Sequence, residues 1–303
     1  MRVSTHNFTD TMVRLMQLNL QNVTKTSNQL STGKRLLQPA DDAVDTVKIL
    51  HLNDELAAIR QYESNIKSAQ GELQQQDILY SSMNSLLARA RDLVLQATNG
   101  TNNLENQLSF ATELDSLNEE LVSLANYQTA DGQYLFSGTD TIQQPVTETA
   151  GDYIYSGNSL YREVQVSATA KIQISQPGDE LFFDASAPAP LNSIFDSLKA
   201  AANELRSPTN LSTVMSDTLA WIDNTTEKIG EAQTRGGGDL NLLDNILESH
   251  GDMALFSRQL KSELEDVDMI AAASQLSQQQ VILSASQQVY ASIKQLSLFN
   301  YLS

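Results

Sequence analysis

Residues 264–303 read LEDVDMIAAASQLSQQQVILSASQQVYASIKQLSLFNYLS, and this stretch decides the fold. Ile282, Ala285, Val289, Ser292, Leu296 and Phe299 recur at alternating steps of three and four, the seam spacing of a coiled coil. The intervening residues are mostly Gln, Ser and Ala. Such a composition propagates a helix, but its apolar face is thin and interrupted by hydroxyls and amides, so stability must come from packing on other helices. The opposite end of the chain answers it, because Val13, Met16, Leu20, Val23, Ser27 and Leu30 stand at the same steps among Gln, Asn, Ser and Thr. The two ends are therefore expected to pair as antiparallel helices. At roughly 25 cal/mol per Å² of apolar surface, seams this narrow barely offset a backbone entropy of roughly 1 to 2 kcal/mol per residue. The expectation is of termini that order fully only when many copies pack side by side.

Working inward from the amino end, Gly33 suits a helix C-cap, Pro39 stops continuation, and Asp41 or Asp42 can cap the next helix. These residues are read as a hinge. Gly33-Lys34 is no phosphate loop, because the required earlier glycine is Asn28 and the residue after the lysine is Arg35. Residues 44–98 keep three-and-four spacing from Ile49 to Ala97 with only Gly71 inside, which predicts a rod of roughly 80 Å at 1.5 Å per residue. Asn99-Gly100-Thr101-Asn102 turns the chain, and a shorter helix returns over 103–128.

Composition changes at Asp131. Residues 131–190 hold most of the prolines, a cluster of tyrosines and period-two patches such as Tyr153-Ile154-Tyr155, Val164-Gln165-Val166 and Ile172-Gln173-Ile174. A small β-rich module with an outward tip is expected, with a hairpin turn at Ser156-Gly157-Asn158-Ser159; its tyrosines suit the core of a small sheet better than an adhesive face. Helix resumes at about Leu191, breaks at Ser207-Pro208-Thr209-Asn210, and continues to an expected flexible joint at Gly236-Gly237-Gly238. Beyond it the pattern runs through Leu260 and Leu264 into the terminal helix. The fold expected is mainly α: an elongated antiparallel helical bundle or coiled coil made by the two ends, with a small β-rich domain inserted. Its segments are 1–40 and 264–303 as polymerisation helices, 41–130 and 191–263 as the two halves of a helical rod, and 131–190 as the outer domain.

The formal net charge of −18 argues against nucleic acid, which needs a Lys and Arg surface. With no cysteine, disulfides, thiol catalysis and Cys-based zinc sites are excluded. No apolar run approaches the roughly twenty residues that span a bilayer, and no cleavable secretory signal stands at the start. His6, His51 and His250 are remote from one another, and no nucleophile elbow or activated base is visible, so neither an enzyme nor a bound cofactor or metal is expected.

Both ends also match in letters. Arg2-Val3-Ser4-Thr5, Gln29-Leu30-Ser31-Thr32-Gly33-Lys34-Arg35 and Pro39-Ala40-Asp41-Asp42 resemble the amino-terminal signature of the bacterial flagellin superfamily. Leu264-Glu265-Asp266-Val267-Asp268 and Gln295-Leu296-Ser297-Leu298-Phe299-Asn300-Tyr301-Leu302 resemble its carboxy-terminal signature. Within it, Tyr134-Leu135-Phe136-Ser137-Gly138-Thr139 leading to Pro145, and the closing Ser-Leu-Phe-Asn-Tyr-Leu, are more similar to the branch at the hook-filament junction than to the filament subunit. The resemblance implies export unfolded through the flagellar type III apparatus and self-association in a ring outside the cell at the end of the hook. It implies a neighbouring hook-associated protein on the hook side, flagellin or another hook-associated protein on the filament side, and a cytoplasmic export chaperone on the C-terminal helix. Val13, Met16, Leu20, Val23, Leu30, Ile282, Ala285, Val289, Leu296 and Phe299 would then be the polymerisation interface. The competing readings are a flagellin-type filament subunit and, from another class, a secreted adhesin or effector on a helical stalk.

Overall fold

The longest unbroken three-and-four pattern becomes the longest helices. A computed structural model describes residues 2–98, 103–184 and 192–302, with side chains over 7–98, 103–184 and 192–292. Its helices are α1 (Arg2–Thr32), α2 (Ala43–Ala97), α3 (Leu104–Ala125), the single-turn α4 (Gly178–Phe182), α5 (Ile194–Arg206), α6 (Leu211–Glu265) and α7 (Met269–Leu302). Four short strands, β1 (Val146–Thr149), β2 (Asp152–Tyr155), β3 (Glu163–Gln165) and β4 (Lys171–Gln173), lie between α3 and α4. The expected turn at residues 99–102, together with Pro190 and Leu191, lies outside the described residues. The chain divides into two units, Ile59–Gly251 and the pair of segments Met1–Ala58 and Asp252–Ser303.

In the unit Ile59–Gly251, the expected stripe of α2 is the buried one: Ile66, Ala69, Leu73, Tyr80, Met83, Leu87, Ala90 and Val94 all turn inward. From Tyr80 onward they meet Ala111, Leu114 and Leu121 of α3, Leu198 and Leu205 of α5, and Met215, Ile222 and Ile229 of α6 in one core. The caps are those the letters call for. Asn103 accepts from the Asn106 amide at the start of α3, Ser193 from the Asp196 amide at the start of α5, and Ser207-Pro208 parts α5 from α6.

The triple glycine does not form a joint. α6 runs through Gly236, Gly237 and Gly238 without interruption. The apolar stripe keeps its phase across them, from Ile229 and Ala232 through the half-buried Leu240 to Leu243, so burial on both sides outweighs a propensity loss of about 1 kcal/mol per glycine.

The β module lies against these helices as two separate hairpins rather than standing off them. β1 and β2 pair antiparallel, Val146 opposite Tyr155, and their turn is Ala150-Gly151, both at positive φ, the geometry of a two-residue type I′ turn. The turn expected at Ser156–Ser159 instead carries the chain past Gly138. There the Asn158 side chain accepts from the Thr139 amide, and a Cβ on Gly138 would run into the Asn158 carbonyl. β3 and β4 form the second hairpin, whose Val166, Ile172 and Ile174 pack on Ile66, Ala69 and Leu73 of α2 and Leu243 of α6. Asn65 and Gln76 of α2 donate side-chain hydrogen bonds to the carbonyls of Gln165 and Ile174. Tyr153 and Tyr155 are core, as expected: Tyr153 packs on Phe195 with ring centroids 5.5 Å apart, and the Tyr155 hydroxyl donates to the Phe136 carbonyl.

Candidate assembly surface and joint

The second unit brings the two ends of the chain together. α1 packs on α7. The amide of Val267, two residues before α7, donates to the carbonyl of Gly33, just past the end of α1, so the helices leave this point antiparallel as expected. Both are hydroxyl-rich. Thr11 and Thr24 in α1 and Ser284, Ser286 and Ser292 in α7 each donate to the carbonyl four residues earlier, which satisfies their hydroxyls within their own helix.

The faces that pair are only partly those expected. In α1 the inward stripe is Met12, Met16, Asn19, Val23, Thr26 and Leu30, so Met16, Val23 and Leu30 turn toward α7 while Val13 (37%) and Leu20 (54%) stay exposed. In α7 the inward stripe is Ala272, Leu276, Gln279, Leu283, Ser286 and Tyr290. Ile282 (46%), Val289 (45%) and Ala285 lie on the other side, exposed; the side chains of Leu296 and Phe299 fall outside the described residues. α7 therefore carries two interleaved three-and-four stripes. The sequence holds both, and the one with the β-branched residues Ile282 and Val289 is the one the intramolecular pair leaves uncovered. The covered one is interrupted by Gln279 and Ser286, and the Gln279 side-chain oxygen is buried without a hydrogen-bond partner. Phe8, Leu15 and Leu18 of α1 and Val281 of α7 add to the exposed apolar surface.

Between α1 and α2 the four expected hinge residues build a tied turn. Gly33 takes φ +72°, the left-handed conformation that ends a helix. Past Pro39, the Asp41 carboxylate accepts from the amides of Leu37 and Gln38 and from the Lys25 ammonium at 2.7 Å. The N-cap is Asp42, whose carboxylate accepts from the Val44 and Asp45 amides. A second break lies opposite, where the sequence pattern runs straight on: α6 ends at Glu265, and Asp268 caps α7 by accepting from the Ile270 and Ala271 amides. The two breaks are bonded to each other. Lys34 and Asp266 form an antiparallel bridge, the Arg35 amide donates to the Glu265 carbonyl at 2.7 Å, and the Lys34 ammonium pairs with the Glu265 carboxylate. Lysine and arginine neighbours hold two carboxyls below their usual value, Asp41 chiefly through Lys25 and Asp45 chiefly through Arg35.

The bacterial flagellin N-terminal helical region matches residues 3–141, which contain α1, the tied turn, α2 and α3. The chain is also 28% identical to flagellar hook-associated protein 3 of Escherichia coli (strain K12) over 291 residues, 91% of each chain. The chain resembles the bacterial flagellin superfamily. It is also similar to a flagellin of Halalkalibacterium halodurans at 24% over 223 residues, covering 73% of this chain and 80% of that one. Among solved structures, a flagellar hook-associated protein from Vibrio parahaemolyticus superposes with a TM-score of 0.69 at 29% identity, over 75% of this chain and 100% of that one. No described helix is long and apolar enough to cross a membrane.

Proposed function

We propose that this chain is a structural component of the bacterial flagellum, an adaptor that joins hook to filament and is required for filament growth and motility. The observation that carries the reading is the likeness to hook-associated protein 3 along nine-tenths of both chains; flagellins that match over a similar length are less identical, at 21% to 22%. The geometry of the ends supports it. Two helices pair through an interrupted seam and leave apolar faces open, and self-bonded hydroxyls on these helices can lose water without losing partners.

In this reading residues 1–40 and 264–303 are the polymerisation helices, 41–130 and 191–263 the rod, and 131–190 the outer domain. Copies associate side by side in a ring through Val13, Leu20, Ile282, Ala285 and Val289, and the three-and-four spacing of the sequence adds Leu296 and Phe299 to this set. A hook-associated protein adjoins the ring on the hook side, and flagellin or another hook-associated protein on the filament side. The protein leaves the cell unfolded through the flagellar type III apparatus, and a cytoplasmic chaperone covers the C-terminal helix until then. The role is mechanical and needs no chemistry from the chain.

Negative-stain imaging of a deletion strain tests this. Hooks should persist bare while filament subunits escape into the medium, and the plasmid-borne chain should restore filaments. Filaments of normal length without the chain would refute it. A filament-subunit role predicts instead that the chain is the dominant band in sheared filaments, where the junction role predicts a trace.

A further inference from the structure

We propose that Arg35 is the positioning residue of the joint, the one side chain that sets the direction in which the terminal helix pair leaves α2 and α6. Its Nη2 donates to Asp45 Oδ2 at 2.6 Å, in the first turn of α2, and to the Leu264 carbonyl at 2.9 Å, in the last turn of α6. Nη1 lies 3.9 Å from Asp42 Oδ2, the N-cap of α2. Its backbone is engaged as well: the amide donates to Glu265 O at 2.7 Å, and its carbonyl accepts from Gln29 Nε2 of α1, also at 2.7 Å. One residue thus holds three helices.

The placement follows from charge and shape. The guanidinium sits between the carboxylates that open α2 and a carbonyl at the close of α6, where the end of a helix carries partial negative charge. A planar fork reaches these separate acceptors at once; an ammonium is a point charge, and the neighbouring Lys34 pairs with Glu265. The Arg35 side chain is 43% exposed, so each contact adds little to global stability. What the set of contacts fixes is direction. Without it the exit of α1 rests on Gly33, a residue with free space around it, on two backbone bonds and on the Lys34–Glu265 and Lys25–Asp41 ion pairs, whose lysines are half exposed.

The full chain has no cysteine, so nitroxides can be placed at Leu18→Cys in α1 and Leu50→Cys in α2, both exposed, and the distance between them read by pulsed electron resonance. The parent should give one narrow distribution. Arg35→Gln should broaden it by about twofold or more, because several exits become populated. The Val267 amide should exchange about tenfold faster, as expected when charge-assisted bonds beside it are lost. Arg35→Lys should be intermediate, and Asp45→Asn, which removes the partner instead, should reproduce the broadening. Distributions for Arg35→Gln and Asp45→Asn that superimpose on the parent would overturn the proposal. A second arm rests on the junction reading: in the deletion strain the Arg35→Gln chain should be secreted yet restore few filaments, and normal filaments would remove any bearing of Arg35 on assembly. If the parent chain itself restores none, the junction reading fails, while the distances still decide the role of Arg35.

Discussion

Two glycines carry opposite lessons about where a side chain is forbidden. Gly33 and Gly138 both hold left-handed φ, but a Cβ on Gly33 meets open space whereas one on Gly138 meets the Asn158 carbonyl. Gly33→Ala should therefore incur only backbone strain, about 1 to 2 kcal/mol, felt locally as faster exchange of the Val267 amide. Gly138→Ala adds overpacking, about 2 to 4 kcal/mol in all, and should lower the urea midpoint of the whole unit that contains the β hairpins. The joint also has a pH window. Asp41 and Asp45 have folded pKa values below 3.8, so their contribution is complete above that value and is lost as pH falls through the folded ones. After correction for intrinsic rates, exchange protection at the Arg35 amide should hold at pH 5 and weaken only as pH falls below 3.8.

For elements, the sequence locates helices well and misleads about what interrupts them. Glycine reads as a break at 236–238, where a buried stripe in constant phase keeps the helix intact. The true break, Asp266-Val267-Asp268, offers no glycine or proline; it exists because Asp268 caps the next helix and Val267 bonds back to Gly33. Since no atom would meet a Cβ at Gly237 or Gly238, alanine at either should stabilise α6 by about 0.5 to 1 kcal/mol, read as a higher urea midpoint. A drop would mean that the glycines serve some bend the helix does not display. The same limit applies to the β hairpin. A glycine-bearing loop at 156–159 competes with Ala150-Gly151 for the turn, and only pairing Val146 with Tyr155 decides between them.

At the level of the whole molecule, the two stripes of each terminal helix should separate by experiment. Val289→Glu or Ile282→Glu should leave the thermal melt of the secreted monomer unchanged within about a degree, as for other surface substitutions, and abolish filament growth. Leu276→Glu, on the inward stripe, should loosen the α1–α7 pair in the isolated protein, seen as increased exchange in both helices. Equal effects from both faces would refute the division. Tyr153 and Tyr155, which the adhesin reading would have at the surface, are tied into the core, leaving that reading without those residues.

The sequence by itself determined where most helices run, that both ends are amphipathic and thin, which stripe of α2 is buried, and which superfamily the chain resembles, because periodicity and signature letters are local properties. Only the tertiary structure decided which of two equivalent-looking stripes on α7 is covered, that two chain breaks 231 residues apart are bonded through Lys34 and Glu265, and that Arg35 stands at their centre. Such choices depend on what lies opposite a residue in space, and spacing along a chain carries no record of that.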